Sequence, residues 1–446
     1  MRFLPYLLLL LATACVPLGT PITDPNGTGR APGQQKPPEY YADKTLRYQD
    51  YVYDPGVQSV QCYAATNVTG EVFLPPVVPV EQSQRITLEF DLLTDRTERL
   101  VTRLIHCDAD WQPSVLTDMQ FLSDINEFLI TNYKTSLAGK VPYFHYRAQA
   151  PQVKISGNFL WVVQNSAGVP LISRRLLVFE NRLQLSMTQG IVAGGDERYT
   201  MQQVDFAIGY AGVPLVNPAA EVKVVLRQNF RWDNAKYNLR PTFVRDAEQR
   251  LDYQYFNFEN AFPGYSEFRY VDLRSLQAAG LGVQSLNPRT VPTEVLLTPE
   301  ESRAKLAYDQ YFDTNGLRYF QSREYGNGDV NADYANVTFQ LKAPQPAPGP
   351  VYVLGALSDW QLKEPFRLRY DEATQLYTGT ALLKQGTYHY YYAVSTGATT
   401  PPDCRYFEGS HYETENQYDL LVYYRPPGTR TDLIIGYKSL DMNSRQ

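Results

Sequence analysis

The chain has 446 residues, a formal net charge of −6 and 13% aromatic residues, with 35 Tyr, 31 Pro and 28 Gly against 5 Met and 4 His. Mild acidity without a Lys/Arg block excludes the basic footprint of a nucleic-acid binder, and the length suits roughly three domains of about 150 residues. Tyr-rich, Met-poor composition broken by Pro and Gly predicts an all-β chain of sheets and turns, because aromatics suit a pleated, half-buried surface.

At the N-terminus, Met1-Arg2 is a short basic start, Leu7 to Ala12 an apolar core, and Ala-Thr-Ala leads to Cys15. This is too short to span a bilayer and predicts a signal peptide over 1–14. Cys15 after those small residues resembles a bacterial lipobox, although Ala12 stands where Leu is commoner. The alternative is ordinary cleavage at an Ala-x-Ala-like site, leaving a soluble protein. A lipidated Cys15 would carry several acyl chains, enough for stable anchoring. Val16 in place of Asp then favours the outer membrane, by similarity to other lipoproteins. The Pro/Gly-rich stretch that follows makes 15–39 a lipidated cysteine and flexible tether. Cys62, Cys107 and Cys404 are odd in number, so at most one intrachain bridge is expected, and no CxxC zinc spacing occurs.

From Tyr40 onward the pattern is β. "RITLEFDLL" alternates Ile86, Leu88, Phe90 and Leu92 with Thr87, Glu89 and Asp91, a half-buried strand. "ERLVTRLIHC", "YFHYRAQA", "GNFLWVVQ" and "RRLLVFEN" follow, and 40–180 is expected to be an immunoglobulin-like β-sandwich. Within it, 115–132 is read as a short helix or an irregular loop. Residues 181–343 form a middle β-rich domain containing "QVDFAIGY", "EVKVVLRQN" and "NVTFQLKA", interrupted by the aromatic stretch "LDYQYFNFENAFPGYSEFRYVDLRS". A Pro-rich linker at 344–350 precedes a last sandwich at 351–424, and 425–446 is a polar tail.

The densest chemistry lies in "RLIHCDADWQPS", residues 103–114. On a strand His106 shares a face with Asp108 while Cys107 points the other way, too few ligands for a metal site. The favoured reading is a strand end where Asp108 and Asp110 bond turn amides and Trp111 packs on the sandwich edge. No calcium loop begun at Asp313, Asn327 or Asp329 has both the Gly and the Glu that an EF-hand needs at its sixth and twelfth positions. No nucleophile elbow, P-loop or GxGxxG occurs, so no catalytic residue and no cofactor is assigned.

The last segment, with "YVLGALSDW" and "LYTGTALLKQGTYHYYYAV", resembles the early-set sandwiches that include starch- and glycogen-binding modules. That resemblance implies Trp360, Tyr390 and Tyr392 as candidate glycan-stacking residues, and an envelope glycan-binding lipoprotein as the alternative function. The opposing reading has Trp360 anchoring a turn and alternate tyrosines in the core.

Across 106–392, "HCDADWQPS", "SGNFLWVV", "SRRLLVFE", "QNFRWDNA", "SEFRYVDLRSL", "DTNG", "DYANVTFQL", "VYVLGALSDWQ" and "LKQGTYHYYY" occur in the order of one family. The set resembles the plug protein of the type IX secretion system of Bacteroidota. The resemblance implies a non-catalytic protein at the periplasmic face of the outer membrane, whose partner is the giant translocon β-barrel it closes.

Overall fold

In the computed structural model, residues 43–66, 74–137, 139–397 and 401–444 are described. The expected signal peptide, Cys15 and tether lie outside them.

Alternation builds the first body. Ile86, Leu88, Phe90 and Leu92 of the strand Ile86–Leu92 enter a core shared with Leu104, Phe159, Trp161 and Ile172. Its two sheets face each other across that core. One carries Tyr51–Val52, Pro170–Phe179, Gly157–Asn165, Leu100–Cys107 and Phe128–Leu129 in that order, with Val77–Pro79 beside Pro170–Phe179. The other runs Val57–Ala64, Ile86–Leu92, Phe144–Gln149, Asn132–Thr135. The ambiguous 115–132 stretch holds one helical turn, Asp118–Phe121, before short strands take over. One expectation fails informatively: Thr87, Glu89 and Asp91 are buried too, because a second layer of protein covers the face that alternation assigned to solvent.

The second body is a sandwich assembled from distant parts of the chain. One sheet contains Gln184–Gly190, Met201–Gly209, Arg250–Tyr253, Phe243–Arg245 and Ala261–Pro263. The facing sheet runs Lys236–Tyr237, Val222–Gln228, Asn416–Tyr424, Leu433–Met442. Phe206, Leu251 and Phe262 meet Val224, Leu420 and Ile435 between them.

The third body is inserted into the second. Ten strands between Arg269 and Val394 form one sheet that curls about its own core, bringing Val295 and Val337 together with Val353 and Tyr390. Its Gly386–Val394 strand is buried along nearly its whole length.

The all-β class stands, but the strand pairing divides the chain differently from the expected segments. Residues 344–350 do not separate domains: Tyr334–Lys342 and Val351–Leu354 belong to the same sheet, and the Ala347 amide donates to the Tyr377 hydroxyl at 2.6 Å. Asn416–Tyr424 leaves the expected last sandwich to pair with Val222–Gln228. The expected tail carries the ten-residue strand Leu433–Met442, with Ile434 and Ile435 buried. Local pattern missed Leu433–Met442, read as a polar tail, and only long-range pairing assigns strands to bodies. Cys62, Cys107 and Cys404 are all free thiols, and burial pushes Cys107 up to about 12.

Candidate functional site

The polar groups singled out by chemistry gather where the bodies meet. The strand Leu100–Cys107 delivers the first junction. His106 points into the first core, edge-on to Phe159 at 5.0 Å, while Cys107 joins a separate cluster with Trp111, Leu160, Val225, Leu421 and Ile434. Opposite orientation of adjacent residues, as predicted, thus connects one strand to two bodies.

Asp108 does not cap its own turn. Its Oδ1 accepts from the Thr431 hydroxyl at 2.9 Å and the Asp432 amide at 3.0 Å, and its Oδ2 pairs with Arg425 at 3.0 Å. Asp432 reciprocates, accepting from the Ala109 amide at 3.2 Å while holding Lys223 and Arg425. Burial raises the Asp432 carboxyl, but bonds from Arg425, the Ala109 amide and Lys223 outweigh it and hold the group below its ordinary value. Asp110 alone meets the turn expectation, accepting from the Gln112 amide at 3.2 Å. His106 Nδ1 lies 2.9 Å from Ser114 Oγ, and burial holds this imidazole down at about 4. Trp111 adopts φ +64° to turn its ring inward. It meets Trp232 edge-on at 5.1 Å, and the Arg175 guanidinium lies over both rings, at 4.4 and 5.1 Å.

The second junction joins the first body to the third through Asp91. Its Oδ1 binds His145 Nδ1 at 2.8 Å, and its Oδ2 receives Lys384 Nζ and the Tyr334 hydroxyl, both at 2.6 Å. Burial and the neighbouring Asp91 charge raise the Tyr334 phenol well above its ordinary value, so it stays a donor. Nearby, Arg174 reaches Asp359 at 3.1 Å, and Lys363 pairs with the same carboxylate at 2.5 Å. Burial opposes ionisation of Asp359, yet Arg174, Lys363 and Arg318 together hold it well below the usual carboxylate range.

The glycan-stacking expectation fails for both tyrosines. Tyr390 and Tyr392 are 2% and 0% exposed, and their hydroxyls donate to Glu300 Oε2 at 2.8 and 2.6 Å. Trp360 is half-buried. The Arg231 guanidinium covers its ring at 4.2 Å, and Phe268 meets it at 5.8 Å. Gly316, in "DTNG" and at φ +79°, provides its seat: a Cβ there would lie 2.4 Å from the indole Cη2. Asp313 of the same motif is taken up by backbone, accepting from the Asn315 amide at 2.7 Å and from the Phe268 amide.

No local signal marks the Asp91, Lys384 and Tyr334 group, because Lys384 and Tyr334 lie 293 and 243 residues from Asp91. The available hint is the pair of acids, Glu89 and Asp91, in a strand whose other face is apolar.

Comparison with known proteins places these junctions in context. Residues 57–180 match the family model described as the type 9 secretion system plug protein 1st domain. A solved structure of a hypothetical protein from Parabacteroides merdae ATCC 43184 is 27% identical to this chain, with a TM-score of 0.83 over 89% of this chain and 100% of that one. No curated protein matches. The body built on Ile86–Leu92 and Leu100–Cys107 is therefore similar to the first domain of type 9 secretion system plug proteins.

Proposed function

We propose that this chain is a non-catalytic plug that closes the periplasmic end of the type 9 outer-membrane translocon, held at that membrane by lipid on Cys15. The match over residues 57–180 carries the reading. The physical reading agrees with it. The polar clusters with the appearance of active sites are engaged in joining one body to the next, which suits a block that must resist deformation. A barrel wide enough for folded cargo leaks when idle, and a tether to the same membrane keeps the plug at high effective concentration near the opening.

Cells lacking this protein should admit large dyes or antibiotics that intact outer membrane excludes, and deleting the translocon barrel as well should abolish the leak. Equal permeability in the single and double mutants, or none in either, overturns the plug. Recovery of a very large β-barrel on gentle pull-down gives an independent check.

A further inference from the structure

The junction around Asp91 contains a constellation that the plug reading does not use. Glu89 lies two residues from Asp91 on the same strand face, and His145 is the cross-strand partner of Asp91. Asp329 arrives from the third body, on the turn Gly328–Asn331. One ring nitrogen of His145 and one carboxylate oxygen each from Glu89 and Asp329 lie within 4.8 Å of one another.

Asp91, ion-paired to Lys384, accepts only, so His145 Nδ1 carries the proton. That leaves Nε2 as the nitrogen that could meet a ligand. It is buried and has no hydrogen-bond partner, in a residue 8% exposed. A carboxylate fixing the far nitrogen of an imidazole is the arrangement that orients metal-binding histidines.

The charges are compatible with a cation. Glu89, Asp91 and Asp329 face Arg147, 3.2 Å from Glu89 Oε1, and Lys384, and burial raises the Glu89 carboxyl above its ordinary value, a penalty that a bound cation would relieve. Glu89 also accepts a hydrogen bond from the Tyr63 side chain. Asp329 is held only lightly, by Asn327 Nδ2 at 3.3 Å.

We propose that Glu89, His145 and Asp329 bind a divalent cation of the zinc class that joins the first body to the third. One imidazole and two carboxylates suit that ion, with water as the fourth ligand. Tetrahedral ligands at ~2.0–2.2 Å stand roughly 3.3–3.6 Å apart, so Asp329, on its half-buried turn, must close the remaining distance.

The test uses untagged full chain, stripped with a chelator and titrated with zinc chloride. Expected are one zinc per chain by calorimetry and elemental analysis, and a rise in melting temperature. Asp329→Asn, a shape-conserving change on the turn, and His145→Ala should each weaken binding at least tenfold. Asp329→Asn should also abolish the zinc-dependent rise in melting temperature, since it removes the third body's ligand. Absence of uptake, or uptake unchanged in Asp329→Asn, overturns the site, even if His145→Ala fails to fold.

Discussion

Trp111 and His106 carry opposite kinds of stability at one strand end. Trp111 is 3% exposed and packs between Arg175 and Trp232. Trp111→Ala should therefore cost about 3–5 kcal/mol, read by denaturant unfolding. His106 acts through protons. Folded, its imidazole is held at about 4 by burial, against an ordinary value of 6.5. Between those values the unfolded chain binds the extra proton, so stability rises with pH there and is lost as pH falls from about 6.5 to about 4. The full loss is of order 3 kcal/mol at ~1.4 kcal/mol per pKa unit. Asp313, pushed up to about 7 by burial, acts in the opposite direction over much of that range, and His389, also at about 4, acts in the same direction. The difference between wild type and His106→Gln isolates the His106 contribution: the variant's stability should vary less steeply between pH 4 and 6.5. Parallel curves would contradict the assignment.

Among elements, the strand Leu433–Met442 matters beyond what its composition suggests. It pairs with Asn416–Tyr424, which pairs with Val222–Gln228, so half of the second sandwich depends on it. A chain ending at Arg425 should lose the packing of Ile434 and Ile435 and should fail to protect residues 181–263 from proteolysis, with the melting transition broadened or split. Retained protection would mean that the strand is dispensable. These elements also mark what was readable in the sequence. Alternation located Ile86–Leu92 because one face must meet a core, whereas Gly157–Asn165 stood out as an apolar run that is buried on both faces. It misassigned Glu89 and Asp91 to solvent, since a period of two reports that the faces differ and does not report what covers them. The tyrosines of Gly386–Val394 were ambiguous for the same reason. The glycan reading needed them outside, and their burial, with hydroxyls bonded to Glu300, shows that they are inside.

At the scale of the molecule, the first and third bodies are joined by buried charge. Asp91 with Lys384 and Arg174 with Asp359 are both largely removed from water. Pairs of this kind add little net stability but penalise any arrangement that separates them, because each freed charge stays desolvated. A body that blocks an opening benefits from such a penalty: displacement of the first body against the third is resisted at two ion pairs at once. The two readings of the Asp91 junction, ion pairing alone or ion pairing with a bound cation, differ only in how strongly the first and third bodies are held.

The insertion of the third body also orders events in time. At the second sandwich the chain leaves and returns at one place, where the His411 amide donates to the Tyr265 carbonyl at 2.7 Å. Asn229, just past Val222–Gln228, meets Gln417 only 188 residues later. At ~5–20 residues per second that is a wait of roughly ten to forty seconds. Throughout it, the Val222–Gln228 strand lacks the neighbour that will cover it and presents an unpaired edge, which invites pairing with other chains. The first body meets no such delay, and the third can close before the second. A growing chain therefore passes through a stage with its two ends unequal in age and its middle unfinished, and anything that shields an open strand edge during that interval should determine how much of this protein survives to assemble.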